Sequence, residues 1–184
     1  FLSQQDRLYL IDETGVIAVE TTADVMATLQ IGNEVILSAT RGLNTGSGKT
    51  VGQTCLKSAT VAVNNYGSHN YPTAAFKGEI SVAEFTKLDV ATDYTTNVYT
   101  MKATIKVEVT NNSTNVYLSD GTNEAIVYAG NGKTQLAWLI AMKDQQVTVE
   151  VAPCNWNSKG YKAAVLAVIN SDGTKTWSTL NFAN

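Results

Sequence analysis

Between residues 99 and 109 apolar and polar side chains alternate without a break. Tyr99, Met101, Ala103, Ile105, Val107 and Val109 take one parity, and Thr100, Lys102, Thr104, Lys106 and Glu108 take the other. A period of two puts each set on its own face of an extended chain, so this segment predicts a half-buried β-strand. Shorter pieces follow: a turn at Asn111, Asn112, Ser113 and Thr114, a strand at 116–118, a tight turn at Asp120-Gly121 and a returning strand at 124–128. The period changes over 134–142, where Leu136, Leu139 and Ile140 fall at i, i+3 and i+4. That spacing predicts a short helix laying one apolar stripe on the sheet. Val147, Val149 and Val151 restore the alternation, 153–160 reads as a loop, and 161–169 reads as a long strand ending at Ser171-Asp172-Gly173.

The same order occurs earlier in the chain. Leu8-Tyr9-Leu10-Ile11-Asp12 resembles Val116-Tyr117-Leu118-Ser119-Asp120, and each is followed by a glycine-bearing turn and a short apolar strand. Val25, Met26 and Leu29 repeat the helical stripe, 34–39 matches 146–151, and 52–63 matches 160–169. The first copy has no counterpart of the strand at 99–109. Two readings stay open: the chain is a fragment of a longer polypeptide, or a strand from elsewhere fills the slot, which would mean assembly by strand addition.

Strand, strand, strand, helix, strand, strand is the order of the OB-fold, a five-stranded partly open barrel. The expected fold is therefore all-β. It consists of two tandem OB-fold-like five-stranded barrels with one short helix each, the first lacking its opening strand. The first unit with its linker spans 1–72, and the second with a C-terminal tail spans 73–184. Ser81 and Glu84 have the spacing of a capping box for a short helix entering the second unit. The run Ile80-Ser81-Val82-Ala83-Glu84-Phe85, the strand at 99–109 and Val116-Tyr117-Leu118-Ser119-Asp120-Gly121 together resemble the secreted and lipoprotein OB-fold domains common in Bacteroidetes-type bacteria. The resemblance covers most of 78–170 and, more weakly, 7–64. It implies an extracellular or cell-surface location, and such domains are often labelled nucleic-acid-binding by fold analogy.

Composition agrees with strands and bears on partners. The 184 residues include 24 Thr, 19 Val and 16 Asn but only 2 Pro, a balance that favours pleated strands joined by turns. The formal charge is -3. Residues 1–72 hold four basic and six acidic side chains, and 73–184 hold nine and ten. Non-specific nucleic-acid binding gains affinity by neutralising phosphates, so this balance argues against it as a strong activity. No run approaches the ~20 apolar residues of a membrane span. Cys55 and Cys154 are too few for a thiol-rich metal site and read as two separate buried thiols, with one disulfide as the alternative.

Motifs for catalysis are weak. Gly46-Ser47-Gly48-Lys49-Thr50 ends like a phosphate loop, but Leu43 stands where the first glycine belongs and a strand is expected to follow. His69 is the one histidine, set in a polar linker, so neither a histidine pair nor a metal cluster can be built on it. No cofactor, metal or enzymatic role is expected.

OB-folds usually bind on the face of strands two and three and at the loops between strands one and two and between four and five. In the second copy those places hold Tyr117, Tyr128, Asn111 and Asn112, and the loop with Asn155, Trp156, Lys159 and Tyr161. Trp156 and Tyr161 can stack on a base or sugar ring while Asn155 and Lys159 bond its edges, or else pack over the barrel mouth. The first copy offers Tyr9, Arg41 and Lys49. Trp138 reads as packing between the apolar residues of the second helix, and the tail around Trp177 reads as an extra strand, a linker or a strand donated to a neighbour.

The leading expectation is a non-catalytic surface or secreted binding module for a polymer or protein partner. The alternative is a structural subunit of a surface fibre or layer that self-associates through its unpaired strand edge. A third reading is single-stranded nucleic-acid binding as an accessory to a nuclease.

Overall fold

A computed structural model of the chain describes residues 2–3, 7–22, 24–25, 28–29, 32–43, 54–66, 72–88, 97–111, 113–128, 136–157 and 160–178. The structure is all-β, as the alternation predicts. In the first half lie β1 (Leu2–Ser3), β2 (Arg7–Asp12), β3 (Gly15–Glu20), β4 (Glu34–Leu43) and β5 (Thr54–Asn65). The second half begins with a 3-10 turn at Thr73–Ala75. It continues through β6 (Phe76–Glu79), α1 (Val82–Phe85), β7 (Val98–Val109), β8 (Thr114–Ser119), β9 (Glu124–Ile126), α2 (Ala137–Ile140), β10 (Gln146–Asn157), β11 (Gly160–Ile169) and β12 (Lys175–Trp177).

The strands form two sheets, ordered β1-β2-β3-β5-β4 and β12-β11-β10-β7-β8-β9, with β6 added in parallel to the start of β7. The internal repeat is written into their pairing. In the first sheet Tyr9 faces Ala18, and β3 meets β5 in parallel at Val19↔Leu56. In the second sheet Tyr117 faces Ile126, and a single parallel bridge joins Val127 to Ala163. The antiparallel pairs β4–β5 and β10–β11 also correspond, Leu37↔Val61 with Val149↔Val168. Each carries an irregularity at the matching place, between Ser38 and Thr40 and between Glu150 and Val151. Two segments of different sequence reach the same ladder because their apolar positions fall on the same parity, which fixes register wherever one face is buried.

Local chemistry sets the connections. Asp120 accepts hydrogen bonds from the backbone N–H groups of Asn123 (2.7 Å) and Thr122 (2.9 Å), and Gly121 takes φ +93°, a region open to glycine without strain. Asp172 accepts from Thr174 N at 2.9 Å and Asp12 from Thr14 N at 2.7 Å in the same way. The bonds at Asp120, and at Asp172 first the Thr174 hydroxyl at 2.6 Å and then the Thr174 N–H, hold these two carboxyls below the usual range.

The capping box forms as the spacing predicts. Ser81 Oγ accepts from Glu84 N at 3.2 Å, and Glu84 Oε2 accepts from Ser81 N at 3.0 Å. Hydrogen bonds from the Ser81 side chain and backbone lower the Glu84 pKa. A depressed carboxylate pKa contributes stability that is present above the unfolded value and lost as pH falls through the folded one. Ser81→Ala is therefore expected to cost about 1 kcal/mol near neutral pH. The variant should also lose less stability than the parent on acidification below about pH 4.5. Denaturant melts at a series of pH values test this, and parallel acid limbs for parent and variant would contradict it.

One core fills the second half: Val82, Phe85, Met101, Ile105, Val116, Leu118, Leu139, Val149 and Val151 are almost fully enclosed within it. The other core is shared. Val19, Leu29 and Ala59 of the first half pack with Ala75, Val98, Ala152, Ala164 and Leu166 of the second, so the first sheet's apolar face lies on the outer face of β10 and β11. The division at residue 72 thus separates two sheets but not two cores.

Several expectations take different form. The segment 153–160 is not an open loop: β10 runs to Asn157 and β11 starts at Gly160, with Pro153 opposite Ala163 and Cys154 opposite Lys162. Backbone pairing continues there because the neighbouring strand supplies partners, which outweighs the turn preference of Asn155 and Asn157. The tail forms a strand, β12, on β11 through Ala167↔Trp177. In the first half a helical turn occurs at 24–25, followed by Leu29, which is buried. No helix among the described residues is long and apolar enough to cross a membrane. The segment with Gly46, Lys49 and Thr50, together with His69, lies outside the described residues.

Candidate functional site

The alternation of β7 that buries Met101, Ala103 and Ile105 turns Lys102, Thr104, Lys106 and Glu108 outward. On β8 Val116 and Leu118 point inward and Tyr117 outward. The register aligns Lys106, Tyr117 and Ile126 in one row across three strands. Neighbours in such a row interact through their side chains.

Lys106 is the hub of this face. Its Nζ donates to Glu124 Oε1 at 2.7 Å, lies 3.0 Å from Glu108 Oε1 and stands 6.0 Å from the centroid of the Tyr117 ring. The bond to Glu124, then that to Glu108, raises the lysine pKa well above its ordinary value, so the ammonium is permanent. Partial burial, and after it the charge of Glu108, pushes the Tyr117 phenol up, which leaves it a hydrogen-bond donor over a wide pH range. The result is an aromatic ring fixed in place by a cation whose charge two carboxylates already balance.

An open cavity of about 530 Å³ adjoins this row. Lys102, Thr104, Lys106, Ser119, Asp120 and Gln146 line it. Ser119 is occupied, its Oγ accepting from Gly121 N at 3.1 Å, and Asp120 is committed to its turn. The groups left to meet a ligand are the Thr104 hydroxyl, the Gln146 amide, the Lys102 ammonium, which sits 3.7 Å from Glu79, and the Asp144 carboxylate, 3.8 Å from Lys143 Nζ. They form a wall of hydrogen-bonding groups of both charges, which meets the row of Tyr117 at Lys106. No group of three His, Cys, Asp or Glu that could hold a metal occurs among the described residues.

Of the residues singled out from the sequence, Tyr117 is on this face. Asn155 and Trp156 belong to β10 and Tyr161 to β11, with side chains outside the described ones, and Lys159 lies wholly outside the described residues. Tyr128 packs against the shared core. Asn111 is exposed in the turn after β7. In the first half Arg41 is exposed on β4, and Tyr9 sits on β2 opposite Ala18, its side chain outside the described ones. The side chains expected to meet around Trp156 therefore lie outside the described ones. Trp138 is half-buried against the second-half core, as expected of a packing residue. Cys55 is a buried thiol 3.7 Å from Glu20 Oε1, and the Cys154 side chain lies outside the described ones.

The cluster of Lys106, Glu108 and Glu124 was not singled out by sequence reasoning. Its trace in the sequence is charge on the polar parity of β7 and at the start of β9. Recognising it requires the cross-strand register.

No family model matches the chain, and no curated protein does. Among solved structures, one described as "Structural mimicry for functional antagonism" is similar at a TM-score of 0.38 and 11% identity, over 86% of this chain and 76% of that chain. At that score the likeness bears on neither fold nor function.

Proposed function

We propose that the chain is a non-catalytic binding module of a secreted or cell-surface bacterial protein, built from two OB-like units and recognising a polymer or protein partner. The strand path from β7 through β8 and β9, with the parallel bridge from Val127 to Ala163 and the return through β11 and β10, follows the order of a small OB barrel. In such barrels the outward face of strands two and three is where ligands lie. The observation that carries the reading is the Tyr117 ring on that face next to Lys106, which also lines the cavity. A half-buried ring with hydroxyl and amide groups in the adjoining cavity suits a sugar ring or a peptide side chain. Single-stranded nucleic acid fits less well, because Lys106 is already neutralised by Glu108 and Glu124.

NMR titration with a soluble β-glucan, a mucin-type glycoprotein, an extended peptide library and a single-stranded oligothymidylate tests this. Shifts are expected to centre on Lys106, Tyr117 and Gln146 with a glycan or peptide, and Tyr117→Ala should weaken that binding about tenfold while leaving the fold intact. Salt-sensitive oligothymidylate binding in place of these would favour the nucleic-acid reading, and shifts confined to other surfaces would remove this site.

A further inference from the structure

The two copies differ at one edge. In the second half β10 is paired on both sides, with β11 and with β7 through Gln146↔Thr104 to Val151↔Tyr99. Its counterpart β4 has β5 as its one partner among the described residues. The difference is legible side chain by side chain. Val149 and Val151 are 0% exposed, whereas Leu37 and Ala39, at the same ladder positions, remain half-buried. On the other face of β4, Ile36 is 64% exposed and Leu43 56%. A ten-residue edge with Glu34 and Arg41 as its only charges and no proline has few of the devices that usually keep such edges from pairing, its irregularities after Glu34 and Ser38 being the exception.

The position of β1 shows what belongs there. Leu2 pairs with Tyr9 and Ser3 with Leu8. In the second half Lys106 pairs with Tyr117 and Val107 with Val116. Since Leu8 and Tyr9 correspond to Val116 and Tyr117, β1 occupies the place of Lys106 and Val107, near the end of the opening strand. The part of β7 that pairs with β10 lies earlier, at 99–104. β1 therefore lies in the same slot, in the same direction, and stops short of the stretch that would cover β4.

We propose that the edge of β4 left unpaired among the described residues is the acceptor for a strand that continues β1 backwards, in polypeptide joined to Phe1. It would run antiparallel to β4, with alternating apolar residues over Leu37 and Ala39. The ladder direction follows from β1, and the side-chain pattern follows from Tyr99, Met101 and Ala103, which cover Val147, Val149 and Val151 in the second half. Backbone pairing would supply the affinity and the inward residues the register.

Hydrogen exchange at the β4 amides reads the proposal directly. Three polypeptides are compared: the 184-residue chain, the same chain with the sequence of residues 98–104 fused directly ahead of Phe1, and the polypeptide as its source produces it, its N-terminal sequence mapped by mass. Exchange at 34–43 is expected to be fast in the first and slowed roughly tenfold or more in the other two, with all three monomeric by light scattering. A fused strand carrying lysine at its inward positions should give no slowing. The proposal is overturned if β4 in the monomeric 184-residue chain is already as protected as β10, or if the fusion brings no slowing. It is equally overturned if protection in the natural material occurs only in multimers whose β4 cross-links to a second copy.

Discussion

Phe85→Ala is expected to lower the stability of the chain by about 3–5 kcal/mol, among the largest losses available from one side chain. The ring is 0% exposed and sits in the second-half core beside Val82, with α1 against β7 and β9. Four residues are too few for a helix to persist alone, so α1 exists because Phe85 and Val82 are enclosed and Ser81 with Glu84 closes its first turn. Removing the ring takes away both its transfer free energy and the contacts of the surrounding side chains. In a chain of this size the loss should appear as a fall in melting temperature of about 6–20 °C. Calorimetry or chemical denaturation measures it. A loss below about 1 kcal/mol would mean that α1 does not plug this core.

Lys175→Met should cost about 3 kcal/mol for a different reason. Glu150 is 4% exposed, yet it lies on the outer parity of β10, where β12 covers it. Lys175 Nζ bonds Glu150 Oε1 at 2.6 Å and stands 5.2 Å from the Trp177 ring centroid, while Glu150 Oε2 has no partner among the described residues. Taking the ammonium away leaves a carboxylate enclosed with no counter-charge, and the penalty for that exceeds the net worth of the pair. The lysine is about a third exposed, which keeps the expected loss at the low end of the range for enclosed pairs. Adding Glu150→Leu to Lys175→Met should restore most of the stability, since the double variant leaves no charge stranded. A double variant no more stable than the single one would show that β12 is held by something other than this pair.

The strands were legible wherever one face is buried. The run 99–109 appears as β7 with the expected inward residues, because a period of two admits a single parity toward a core. The capping box and the Asp-led turns were legible for a related reason: their hydrogen bonds join residues two or three apart and depend little on the rest of the molecule. The internal repeat was also present in the sequence, as matching order and parity, and the pairings of both sheets reproduce it.

The candidate site was less legible. Tyr117 could be placed from strand order alone, but Lys106, Glu108 and Glu124 meet only through the pairing of three strands, and no local pattern announces which charges will share a row. Tyr128 shows the converse: its place on the third strand of an OB order suggested a ligand face, whereas its side chain packs against the core that the two halves share.

The sequence by itself determined the strand class, the parity of the alternating strands, and the caps and turns, because each depends on neighbours along the chain. Only the tertiary structure decided that the first half rests its apolar face on Ala152, Ala164 and Leu166, and that β1 pairs with β2 while β4 has β5 as its one partner among the described residues. Those outcomes depend on which surfaces meet across long stretches of chain, where burial of apolar area between distant segments, and not local preference, selects the arrangement.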